Sequence, residues 1–163
     1  MSQMPPEQFK IVRTAKVRPT RAAATPGPLP PHTEQYSALV ALYGQQDHVL
    51  AKEMERDITA KIRSYGEQDA RASRPPPSSL SLETALEKLV VSRGRCAYCR
   101  RELSLLYKEA RDPLQWTFDR VDNDLSHETS NIVVTCLACN LAKRRTSHEK
   151  FMLTKRLKLE KLR

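Results

Sequence analysis

Glycine and cysteine are scarce, four of each, and aromatic residues make up only 6% of the 163. No apolar run is long enough to span a bilayer, and no short apolar stretch sits where a secretory signal would. No internal repeat is visible. These absences argue against a membrane partner and against secretion. They leave the expectation of an intracellular protein, whether cytoplasmic, nuclear, organellar or within a virion. Acids are also few, 19 against 28 Lys and Arg. With eleven prolines and a mean hydropathy of -0.59, much of the chain lies outside any core. A core built from the remainder is small, and small cores usually need a metal or disulfide staple.

The formal net charge of +9 and a pI near 9.6 favour a polyanionic partner, DNA or RNA. The charge is uneven. Leu141 to Arg163 holds nine Lys or Arg against two Glu, and Met1 to Glu34 holds five against two, so the middle is almost neutral. Lys143, Arg144, Arg145, Lys150, Lys155, Arg156 and Lys158 are therefore expected to form a phosphate-contacting face.

Four regions can be read along the chain. Residues 1–34 are a basic, Pro-rich arm, a composition shared with organelle transit peptides, and something larger is expected to hold it. Residues 35–70 are a helical segment with Leu39, Leu42, Val49, Ile58 and Ile62 loosely on one side and Gly44 as its weak point. Residues 71–81, with Pro75-Pro76-Pro77-Ser78-Ser79, read as a linker. Residues 82–163 open with a helix carrying Leu82, Leu86 and Leu89, in which Thr84 and Glu87 have capping-box spacing and which Gly94 stops. Trp116-Thr117-Phe118 and Ile132-Val133-Val134 read as short strands joined by the polar loop Asp122 to Asn131. Helical spacing resumes at Leu137, with Phe151, Leu153, Leu157 and Leu162 on an apolar side under a basic one.

Cys96-Ala97-Tyr98-Cys99 and Cys136-Leu137-Ala138-Cys139 use all four cysteines. Two CxxC pairs a few dozen residues apart are the spacing of a four-cysteine zinc site. Four thiolates leave no open position, so the ion is expected to be structural. The competing readings are two disulfides, opposed by a reducing compartment, and a redox CxxC, opposed by the duplication.

The order Asp119, Asn131, Cys136-x-x-Cys139-Asn140-x-x-Lys143 resembles the HNH endonuclease family, most closely members whose four-cysteine zinc clamps a ββα core, as in phage endonuclease VII-type resolvases. The resemblance covers about Leu82 to Phe151. It implies an α+β fold: a zinc-stapled ββα module of HNH or treble-clef type, flanked by helices. It also implies that Asp119 and Asn140 hold a catalytic Mg²⁺ or Mn²⁺, that Asn131 braces the loop, and that Lys143 touches phosphates. The family's general-base His is replaced by Arg120, which cannot accept a proton. Asp119-Arg120-Val121-Asp122-Asn123 looks like the "Asp-Arg-Ile-Asp-Asn" variant of phages and large DNA viruses, with Arg120 expected against nucleic acid. His127, in the same loop, is a possible substitute base; otherwise it is an exposed loop histidine. His48 is expected to be a surface or packing residue and His148 to lie at the surface. The functional expectation is a metal-dependent HNH-fold endonuclease or a protein derived from one. The alternative is a silent zinc module binding DNA or RNA within a larger nucleoprotein or virion assembly.

Overall fold

The computed structural model describes residues 27–157. Most of the arm, together with Lys158 and Leu162, lies outside the described residues. Within them the fold is α+β, with five α-helices and one two-stranded antiparallel sheet. The helices are α1 (His32–Tyr43), α2 (Ala51–Arg71), α3 (Leu82–Val91), α4 (Leu137–Lys143) and α5 (His148–Arg156). Strands β1 (Trp116–Arg120) and β2 (Ile132–Cys136) pair with Trp116 opposite Cys136 and Arg120 opposite Ile132. No helix among the described residues is long and apolar enough to cross a membrane.

The segment expected as one helix before residue 70 is two, divided at Gly44. Its weak point is a true stop: Gly44 N–H closes on the Val40 carbonyl, and Gln45 turns left-handed at φ 55°. Helix α3 starts one turn earlier than Thr84 and Glu87 suggest. Ser81 is its N-cap, and the capping box is Ser81 with Thr84. Gly94 ends the turn after α3 at φ 59°, and a Cβ there would stand 2.8 Å from His32 Nε2, so glycine is required on both counts. The C-terminal helical stretch is also broken, with Arg144 at φ 51° between α4 and α5. Of its expected apolar side only Phe151 is buried; Leu153 and Leu157 are exposed.

Helix α2 buries Met54, Ile58 and Tyr65 in one cluster with Leu39 of α1, Leu86 and Leu89 of α3, and Trp116, Phe118 and Val134 of the sheet. The Pro-rich stretch 71–81 bridges α2 and α3 and fastens the loop between the strands. Arg74 donates to the Asn123 carbonyl at 2.7 Å, Ser126 Oγ donates to the Pro75 carbonyl, and the Ser78 and Ser79 amides donate to the Glu128 carboxylate at 2.8 and 3.1 Å.

A two-stranded sheet leaves each strand one open edge, and unpaired buried backbone groups are costly. Side chains close the outer edge of β1. Lys61 donates to the Trp116 carbonyl, and Tyr65 Oη accepts from Phe118 N–H at 2.9 Å. Asn140 Nδ2 donates to the Phe118 carbonyl at 3.3 Å, and Lys143 Nζ to the Arg120 carbonyl at 2.7 Å. Helices α2 and α4 thereby flank β1 from two sides.

Candidate functional site

The Cys136 end of the hairpin brings the four thiols together. Cys96 and Cys99 sit in a tight turn, with Arg100 N–H on the Cys96 carbonyl and Arg100 left-handed at φ 62°. Ala97 N–H reaches the Val134 carbonyl and draws this knuckle against β2. Cys136 caps α4, its sulfur accepting from Cys139 N–H at 3.4 Å. All four sulfurs lie within 4.8 Å of one another, with Cys99 and Cys136 3.9 Å apart. Tetrahedral zinc with bonds of about 2.3 Å sets sulfurs about 3.8 Å apart, so the geometry fits zinc. The charges point the same way. Cys96 is lowered to about 4, chiefly by the hydrogen bond from Cys136, while Cys136 is driven far up by that bond and by burial. Cys139 is raised to about 11 by burial. One thiolate forms easily, while hydrogen bonding and burial keep the next two thiols protonated without a metal. The four cysteines could thus hold a structural zinc.

Asp119 lies on the α4 side of the sheet and is only 5% exposed. Tyr98 Oη donates to its Oδ2 at 2.6 Å, and Lys143 Nζ stands 3.3 Å from the same oxygen. Tyr98 also meets His148 Nδ1 at 3.0 Å, so His148 is half-buried rather than at the surface. Lys143, expected on an exposed phosphate-binding face, is 0% exposed and spends its ammonium on Asp119, the Arg120 carbonyl and Asn123. Asn140 directs its amide nitrogen to Thr117 Oγ1 at 3.1 Å and the Phe118 carbonyl. These side chains do not fit the catalytic Mg²⁺ or Mn²⁺ expected of Asp119 and Asn140. The place beside the carboxylate is taken by the Lys143 ammonium, which repels a dication.

Asn131, expected to brace the loop, accepts from Asp122 N–H through Oδ1 and donates through Nδ2 to the Asp122 and Ser126 carbonyls, each at 2.9 Å. Arg144, Arg145, Lys150, Lys155 and Arg156 are exposed, and Arg145 reaches Asp124 at 3.4 Å. His48 accepts from Leu50 N–H just ahead of α2.

At the Arg120 end, His127 is neither exposed nor loose. It is 5% exposed, its ring stacks on Tyr65 at 4.6 Å, and its Nδ1 lies 2.9 Å from Asp69 Oδ2, the atom that also accepts its backbone N–H at 2.8 Å. Arg120 turns back to Asp69 Oδ1 at 3.5 Å and donates to the Leu125 carbonyl at 3.2 Å. Burial lowers the His127 pKa; the Asp69 hydrogen bond and charge oppose this, and Arg120 and Arg74 add to it. The net shift is downward, so the imidazole is neutral near pH 7. Asp69 itself is 0% exposed.

Between α2 and α4, along β1, runs a cleft of about 470 Å³. Lys61, Arg120 and Arg144 supply its cationic groups, and His127, Asn140 and Asp119 also line it. Sequence reasoning missed Lys61, Tyr65 and Asp69, although they fall at i, i+4 and i+8 on one stripe of α2. It also missed Tyr98, inside the first CxxC. No protein-family model, curated protein or solved structure matches the chain.

Proposed function

We propose that this chain is a zinc-stapled module of HNH-nuclease descent that binds nucleic-acid phosphodiesters in the cleft between α2 and α4. The cleft carries the reading. It gathers Lys61, Arg144 and Arg120, the last also paired to Asp69, around uncharged His127 and Asn140, and its one lining acid, Asp119, is already ion-paired to Lys143. An anion entering it meets positive charge and hydrogen-bond donors. The order of elements supports the family resemblance: a CxxC knuckle, β1, a loop braced by Asn131, β2, then a helix opening on the second CxxC. The exposed Arg145, Lys150, Lys155 and Arg156 extend the positive surface from the cleft rim.

Binding of this kind is mainly to backbone phosphates and weakens steeply with salt. Fluorescence anisotropy with duplex DNA and with single-stranded RNA, across a salt series, tests it. Arg144→Ala with Arg145→Ala is expected to weaken binding and flatten the salt dependence. Wild-type protein that binds neither polymer at low salt overturns the reading.

The ion pair between Asp119 and Lys143 favours a second reading, in which the module binds without cutting and serves as a subunit of a larger nucleoprotein assembly that also engages the N-terminal arm. Plasmid and RNA cleavage assays separate the two.

A further inference from the structure

We propose that Asp69 and His127 form a positioning residue and general base for phosphodiester hydrolysis in the α2/α4 cleft. The proposal rests on the nucleic-acid reading above and gives that site a reaction. Its support is the way the pair is held. A carboxylate can only accept, so the proton on the His127 ring sits on Nδ1, facing Asp69 at 2.9 Å. That leaves the lone pair on Nε2. This atom has no partner among the described residues, yet no fully buried side-chain nitrogen or oxygen there lacks one. Nε2 is therefore not fully buried, and His127 is one of the residues that line the cleft.

Asp69 makes three contacts, to His127 Nδ1, to His127 N–H and to Arg120. Together with the Tyr65 stack they fix the ring's position and tautomer, which is what a base needs from its support. The charged and titratable groups facing the imidazole are Asp69 and Tyr65 from α2, Arg74 just after it and Arg120 from β1. Burial, helped by Arg120 and Arg74 against the Asp69 charge, favours the uncharged imidazole, which is ready to accept.

In the reaction, a water in the cleft gives a proton to Nε2 as its oxygen bonds to phosphorus. The bond from phosphorus to the leaving sugar oxygen breaks, the electron pair goes with that oxygen, and it takes a proton from solvent. Asp69 then faces an imidazolium, which it stabilises.

The test uses the full zinc-loaded chain in buffer supplied with Mg²⁺, with supercoiled plasmid and single-stranded RNA as substrates. Wild type, His127→Ala, His127→Gln and Asp69→Asn are compared for cleavage and for binding. Wild type is expected to cut at least one substrate. Both His127 variants are expected to lose about 10²-fold or more in kcat, a loss larger than any change in binding measured in parallel. Added imidazole should restore part of the loss in His127→Ala, which a purely structural histidine would not allow. Asp69→Asn should lower kcat with KM unchanged and shift the pH profile, which in wild type rises as the imidazole loses its proton. If Asp69→Asn fails to fold, the His127 variants decide, since both keep the Asp69–Arg120 pair. Full activity in His127→Ala overturns the dyad. So does a wild type that binds but cuts neither substrate, which leaves the binding reading intact. A wild type that neither binds nor cuts removes both.

Discussion

At one end of the β-hairpin, four cysteines drawn from two short motifs meet within 4.8 Å. At the other, a histidine from the loop meets an aspartate 58 residues before it in the chain. The first end is closed: knuckle, strand and helix N-terminus wrap the sulfurs and leave no open coordination position. The second end faces a cleft lined by His127, Arg120 and Arg144. The hairpin thus has one end proposed as structural and one proposed as reactive, joined by a β1 edge that side chains from α2 and α4 keep satisfied.

The largest expected effect breaks the structural end. Binding energy at a four-thiolate zinc is folding energy, about 10–16 kcal/mol in small zinc modules, against a total stability of about 5–15 kcal/mol for a typical domain. Cys139→Ser is therefore expected to leave the chain largely unfolded by circular dichroism. Elemental analysis should give one zinc per wild-type chain. A folded Cys139→Ser, or wild type free of zinc, contradicts the staple.

The next effect lies midway along the hairpin. Asp119→Ala leaves the buried Lys143 ammonium without its counter-charge, at a cost of about 3–5 kcal/mol. Asp119→Ala with Lys143→Met is expected to recover most of that loss in urea denaturation. A loss of catalysis with unchanged stability in Asp119→Ala would instead make Asp119 part of the reactive end. Tyr65→Phe is a smaller change. It keeps the ring stacked against His127 but leaves Phe118 N–H unmatched, for about 1–3 kcal/mol.

The contrast between the two ends also explains what could be read in advance. The four-cysteine cluster was legible because both halves of it are local motifs, each two thiols on one turn. The strands and α3 were legible from their apolar patterns, since the core uses the Trp116, Phe118, Leu86 and Leu89 positions directly. The polar pairings were not. Lys143 sits in a basic run and reads as surface, but one turn of α4 carries it from the Cys139 thiol to the buried Asp119. Asp69 reads as an ordinary acid near the end of a polar helix; only the return of the chain through 71–81 sets α2 against the strand loop. His127 could be named from sequence, but its partner could not, because nothing local encodes a contact over 58 residues.

A smaller effect follows from His127 titration. Its folded pKa is lowered below the ordinary value of about 6.5, so the unfolded chain takes up this proton first as pH falls. The stabilisation is complete above about 6.5 and is lost below it. Zinc release from the four cysteines would fall on the same acid limb, so His127→Gln, which keeps them, should flatten only part of the slope.

Long-range ¹H–¹⁵N NMR of the histidine ring nitrogens tests the reactive end without relying on activity. A neutral His127 at pH 7, protonated on Nδ1, with Nε2 bare and a midpoint below about 6.5, is the predicted result. A proton on Nε2 at pH 7, or a midpoint above that value, contradicts it and leaves the Asp69 contact as packing alone.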